Sequence, residues 1–134
     1  MTATAAITID PPHLHFEAGL VGFPQTQRYQ LLESEHGILA LQGVAEDDPD
    51  FVVVAPEAFF PDYAPVIDDE AVERLGLTSA QDAMVLLVVT LGPRPEDATA
   101  NLLAPLVVNV RTREAAQVVL GGQDQPLRAP LLHA

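Results

Sequence analysis

Apolar and polar positions along the chain alternate in short runs, not in long helical stripes. Ala5, Ile7 and Ile9 alternate with Ala6, Thr8 and Asp10, the period of a half-buried strand, and Pro11-Pro12 ends it. Residues 28–32 and 38–44 are two further strand candidates. The loop Glu33-Ser34-Glu35-His36-Gly37 between them predicts an antiparallel hairpin with glycine in the turn. Phe51-Val52-Val53-Val54 is short, β-branched and unbroken, which predicts burial on both faces. Residues 84–91 and 106–110 have the same character. A second hairpin is expected over residues 106–120. Its strands would be 106–110 and 117–120, joined through Thr112-Arg113-Glu114-Ala115.

Two short helices interrupt this pattern. Residues 56–60 begin with proline at a plausible first helical position. Asp68 can cap a helix running to about Leu75, with Gly76 just past its end and with Val72 and Leu75 on its core side. Glu70 and Arg74 stand there at i,i+4 in the favourable order. Ser79-Ala80-Gln81-Asp82 has the outline of a capping box. Twelve prolines and eight glycines punctuate the rest. The expected fold is mostly β: a small antiparallel β-barrel, partly open, with one or two short helices.

Composition narrows the function classes. A chain of 134 residues is one domain's worth of sequence. It has no cysteine, so a disulfide scaffold, a thiol nucleophile and a thiolate zinc site are excluded. Its 6 basic residues are all arginine, which excludes lysine Schiff-base chemistry. Against them stand 19 acidic residues, a net charge of −13. Such a surface repels phosphate backbones and favours basic partners, so no direct nucleic-acid binding is expected. The longest apolar run, residues 83–89, falls far short of the ~20 residues of a membrane helix. The N-terminus has neither a basic nor a long apolar region of the secretory kind. A soluble, cytoplasmic protein with no membrane contact is the reading.

Few residues offer chemistry. His13 and His15 would share one strand face, a usable two-ligand spacing, but no spacing supplies a third ligand, so no metal site is assigned. Glu46-Asp47-Asp48-Pro49-Asp50 is the densest acidic run. It lacks the central glycine of a calcium loop, and no carboxylate is paired with a nucleophile; it reads as a solvated turn or a partner contact. Phe59-Phe60-Pro61-Asp62-Tyr63 holds three of the seven aromatics, either as a barrel cap or as an exposed anchor. Asn101 has the setting of a specified turn, and Asn109 interrupts an apolar strand, where a buried amide needs partners. No phosphate loop, nucleophile elbow or zinc-protease motif is present, and no cofactor or catalytic residue is assigned.

Several blocks together resemble one family. Phe16-Glu17-Ala18-Gly19-Leu20-Val21-Gly22-Phe23 is similar to the N-terminal signature of the FliW flagellar assembly factors. So are Phe51-Val52-Val53-Val54 followed by Phe60-Pro61-Asp62-Tyr63. The strongest likeness is residues 99–110, Thr-Ala-Asn-Leu-Leu-Ala-Pro-Leu-Val-Val-Asn-Val, followed by Gln117-Val118-Val119-Leu120. The blocks stand in the family's order over residues 16–120. The chain departs from the family in having no lysine, and in lacking the glycine often seen around Arg113-Glu114-Ala115-Ala116.

The resemblance implies a small β-barrel and a non-enzymatic regulator of flagellin production. Such a protein binds flagellin and the RNA-binding translational repressor CsrA in a partner switch. Flagellin frees it when scarce and recaptures it when abundant. The alternative is an export chaperone that binds flagellin and ignores CsrA. On this reading residues 1–122 form a single FliW-like barrel domain, and residues 123–134 are a tail ordered only in part. The acidic set Glu46, Asp47, Asp48, Asp50, Asp62, Asp68 and Asp69 is expected to face CsrA, and Phe23, Phe59, Phe60 and Tyr63 to face flagellin. Gly19, Gly22, Asn101 and Pro105 are assigned to turn geometry.

Overall fold

The structure, a computed structural model, describes residues 13–33 and 38–131. The strand expected near residues 5–9 and the hairpin tip at 34–37 lie outside the described residues. Among the described residues there are nine strands. They are β1 (His13–Phe16), β2 (Arg28–Glu33), β3 (Ile38–Gly43), β4 (Asp50–Val54), β5 (Ala83–Thr90), β6 (Thr99–Ala100), β7 (Leu106–Asn109), β8 (Glu114–Gln117) and β9 (Ala129–Pro130). One α-helix, α1 (Asp69–Arg74), lies between β4 and β5. Among these residues no helix is long and apolar enough to cross a membrane.

The expected small β-barrel is present. Seven strands in the order β4-β3-β2-β1-β8-β7-β5 form a ring, and pairing of β4 with β5 closes it where a partly open barrel was expected. β6 and β9 continue from β5 outside the ring. All pairings are antiparallel except β1 with β8, where His15 lies opposite Glu114.

The two-residue period explains the layers. Leu14, Phe16, Tyr29, Leu31, Leu41, Val53, Met84, Leu86, Leu106, Val108 and Ala115 point inward and fill the barrel. On the opposite face of β4 and β5, Val54, Leu87 and Val89 pack with Ala98, Ala100, Leu102, Ala129 and Leu131. Ala83 and Val107 lie beneath Ile67, Ala71 and Leu75. β5 is thus covered on both sides, which is why its run has no polar alternation. In β4 this holds only at the end: Val53 and Val54 are buried, while Phe51 and Val52 are half-buried.

α1 follows its local signals. The Asp68 carboxylate accepts from the Ala71 N–H at 2.8 Å. Gly76 takes φ +66°, and the N–H groups of Leu77 and Gly76 return to the carbonyls of Val72 and Glu73, so the helix end is satisfied. The buried side is Ala71 and Leu75; Val72 is only partly covered. Residues 56–60 make a shorter turn than expected, a 3-10 helix at Pro56–Ala58. Ser79 caps the 3-10 turn Ala80–Asp82 through the Gln81 N–H, not through a capping box.

Two boundaries differ from the sequence reading. The second strand of the β7–β8 hairpin begins at Glu114, three residues before the expected Gln117. Asn109 is the cause. Its side-chain oxygen accepts from the N–H groups of Arg111 and Thr112, and its carbonyl accepts from the Arg113 N–H at 2.7 Å, which tightens the turn. The expected segment 117–120 still runs beside residues 103–105, with Val118 N–H on the Pro105 carbonyl and Leu120 N–H on the Leu103 carbonyl. The second difference is the tail. Residues 123–131, placed beyond the domain by composition, dock on the barrel. β9 pairs with β6, Ala129 and Leu131 are buried, and the Gln123 amide bonds both backbone groups of Val66.

Candidate functional site

β4 separates the candidate residues into two groups. The acidic loop precedes it, and the aromatic segment follows it, about 15 Å away along a five-residue strand. The sequence offered both as contact surface, and the structure keeps them apart.

In the acidic loop, Glu46, Asp47 and Asp50 are exposed. Asp48 is not a free acid. One of its carboxylate oxygens accepts from the Ala45 N–H at 2.9 Å and the other from the Thr26 hydroxyl at 3.2 Å. The Asp48 side chain also lies against the Cα of Gly43, where any side chain would collide with it. Asp48 therefore shapes the loop that presents its three neighbours. The same carboxylate acts on the barrel interior. Burial, and after it the Asp48 charge, push the Tyr29 phenol above its ordinary value.

Asp62, Asp68 and Asp69 lie beyond β4, and all are exposed. Asp68 is also engaged as the α1 cap. The Gln123 side chain bonds both backbone groups of Val66 in this segment, and the next residue, Asp124, is exposed.

The aromatic segment forms a recess of about 370 Å³ lined by Phe59, Phe60, Tyr63, Leu102, Asp62 and Gln125. Its rings are half-buried on the outer face of β4–β5. The Tyr63 hydroxyl donates to the Leu102 carbonyl at 2.7 Å, and burial pushes this phenol well above its ordinary value. The floor is apolar and the rim carries a carboxylate, a geometry for apolar side chains flanked by basic ones. Sequence reasoning did not single out Leu102 or Gln125. Leu102 stands 39 residues from Tyr63, and no local pattern announces that approach.

Phe23 does not join this recess. It packs edge-on against Phe51 at 5.3 Å, at the acidic-loop end of β4, and is 40% exposed. The four aromatics grouped by the sequence therefore occupy two places. Gly19 and Gly22 take φ +67° and +89°. The Asn101 side chain accepts from the N–H groups of Leu103 and Ala104. Pro105 is buried, with its carbonyl on Val118. His13 and His15 share a face of β1; His15 pairs with Glu114 at 2.9 Å. Among the described residues no group of three or more His, Asp or Glu side chains is placed to hold a metal ion.

The same architecture occurs in a solved protein, the crystal structure of the flagellar assembly factor FliW. It superposes with a TM-score of 0.86 at 31% identity, covering 98% of this chain and 96% of that one. The family model described as FliW protein matches residues 1–131. The chain belongs to the FliW family. Its relatives include the flagellar assembly factor FliW of Clostridioides difficile, 34% identical over 116 residues, with 85% of this chain and 89% of that one covered. Another is the FliW of Symbiobacterium thermophilum, 38% identical over 122 residues, covering 87% and 86%. The FliW match includes the docked tail up to residue 131, in keeping with its place on the barrel.

Proposed function

We propose that this FliW chain is a non-enzymatic regulator of flagellin production that engages the translational repressor CsrA and flagellin as alternative partners. Membership of the FliW family along residues 1–131 carries this reading. Two features support it. A net charge of −13 suits a partner whose RNA-binding surface is basic, and steers its approach. An apolar recess with an acidic rim suits a partly apolar helical segment.

In this reading Glu46, Asp47 and Asp50, with Asp62 and Asp69, face CsrA. Asp48 and Asp68 hold the loop and the helix start that present them. Phe59, Phe60 and Tyr63, joined by Leu102, receive flagellin. Phe23, at the other end of β4, is left out of that dock.

Calorimetric titration of the protein with CsrA and, separately, with flagellin from the same organism tests the proposal. Binding to both is expected. Binding to flagellin alone would make it an export chaperone, and binding to neither would leave the family fold without this function.

A further inference from the structure

We propose that the open edge of β8 at residues 117–119 is a docking site for an extended segment of a partner protein, one that alternates apolar and basic side chains and adds to the barrel as a further strand. The site uses none of the residues assigned above to CsrA or flagellin, and so stands or falls apart from that reading.

The open edge follows from the register. Gln117 lies opposite Leu106 of β7, and the Val118 N–H donates to the Pro105 carbonyl at 2.9 Å. Gln117 is therefore a position whose own N–H and carbonyl point away from β7. The Leu120 N–H donates to the Leu103 carbonyl, so the Val119 N–H points the same way as that of Gln117. β1 is the neighbour on that side, but it pairs only with Glu114 and Ala115. Past Phe16 its chain turns off, with the Gly19 N–H on the Phe16 carbonyl. Among the described residues neither the Gln117 N–H nor the Val119 N–H finds an acceptor. Unpaired donors in a row are a template for another strand.

The side chains along the edge define what it takes. Gln117 and Val119 share one face, and Val119 is 58% exposed. The Gln117 side-chain oxygen accepts from the Val21 N–H at 2.8 Å, which holds Val21, 72% exposed, beside that face. Two exposed valines thus flank the unpaired donors. Ala116 faces the other way and packs with Leu75 of α1. A cleft of about 460 Å³ opens there between β8, the Glu17–Gly19 turn and the end of α1.

Glu17, Glu114 and Arg74 line the cleft. His15 already engages Glu114, while Glu17 is exposed and makes no ion pair among the described residues. Two carboxylates against one guanidinium, on a chain of net charge −13, select basic side chains. In a strand laid along the edge, apolar side chains would meet the valines, and the alternate, basic ones would reach the cleft.

The test is an amide NMR titration of the full chain with three blocked pentapeptides. They are Val-Lys-Val-Lys-Val, the acidic Val-Glu-Val-Glu-Val, and the basic peptide N-methylated at its three valines. The basic peptide should shift the Gln117 and Val119 amides and slow their hydrogen exchange. The N-methylated peptide has the same charge but cannot pair as a strand; it and the acidic peptide should each bind at least about tenfold more weakly. Val119→Pro removes one edge donor without breaking a bond of the barrel, and should weaken the basic peptide about tenfold. Glu17→Gln, a change at an exposed side chain, should weaken it about threefold, and gives a reading even where Val119→Pro does not fold. No binding of the basic peptide, equal binding of either control peptide, shifts confined to other residues, or unchanged affinity in the folded variants would each overturn the proposal.

Discussion

The Asn109 side-chain amide in β7 donates to the Leu75 carbonyl at the end of α1, at 2.9 Å and fully buried. The same side chain accepts from the Arg111 and Thr112 N–H groups. One residue therefore ties the helix to the barrel and sets the β7–β8 turn. Asn109→Leu should cost about 3 kcal/mol, because it strands buried backbone groups on both sides. Urea unfolding should show a lower midpoint at unchanged slope. Asn109→Asp keeps the turn acceptor, but faces the Leu75 carbonyl with a second acceptor, and should also destabilise.

This residue marks how far the sequence could be read. Its position inside an apolar strand announced a buried amide needing partners. Which partners it found depends on α1 folding back over β7, a contact 34 residues away. Local signals behaved alike elsewhere. Asp68 and Gly76 bounded the helix correctly, because caps act within one turn. The unbroken apolar runs of β5 and β7 announced strands covered on both faces. The docking of residues 123–131 was hidden because it rests on a two-residue strand, two buried side chains and one glutamine, too little for any periodicity. In the candidate site, the aromatic segment was visible from composition. Nothing in the sequence says that Phe23 packs on Phe51, away from the recess and at the other end of β4.

Gly19 and Gly22 share one turn and both have positive φ, but only Gly19 is crowded. A methyl at Gly19 would meet the Phe23 carbonyl oxygen and the Pro24 backbone, whereas nothing lies within 4 Å of one at Gly22. Gly19→Ala should therefore destabilise by about 3 kcal/mol and Gly22→Ala by about 1. Thermal unfolding of the two variants side by side measures the difference.

Stability should fall in alkali. Folded Tyr63 holds its proton above the ordinary phenol value of 10.0, and the Tyr29 phenol is also raised. The unfolded chain releases both near pH 10, so above that value it binds fewer protons than the folded chain. The stabilising contribution is complete below pH 10 and is lost as pH rises beyond it. Tyr63→Phe should lower stability at neutral pH by about 1 kcal/mol, through the lost bond to Leu102, and should flatten the alkaline decline. Chemical unfolding at a series of pH values checks both effects.

The acidic loop can be tested without disturbing the fold. Glu46, Asp47 and Asp50 are exposed, whereas Asp48 holds the loop. Reversing the first three to lysine should slow CsrA association at least about tenfold at low salt, with the difference shrinking as salt rises. Asp48→Ala should instead cost about 1–2 kcal/mol of stability. Stopped-flow association and urea unfolding separate the two roles.

Gln125 lies in the docked tail and lines the aromatic recess. Gln125→Trp should fill that space and weaken flagellin binding at least about tenfold, with CsrA affinity unchanged. Parallel titrations of the variant with each partner measure this.

An exchange of CsrA for flagellin on this protein can be read in a displacement experiment. Fluorescently labelled CsrA is bound to the protein, and purified flagellin is then added in steps. The labelled CsrA should be released in proportion to the flagellin added, and Gln125→Trp should suppress the release. A stable complex holding both partners at saturating flagellin would rule the exchange out.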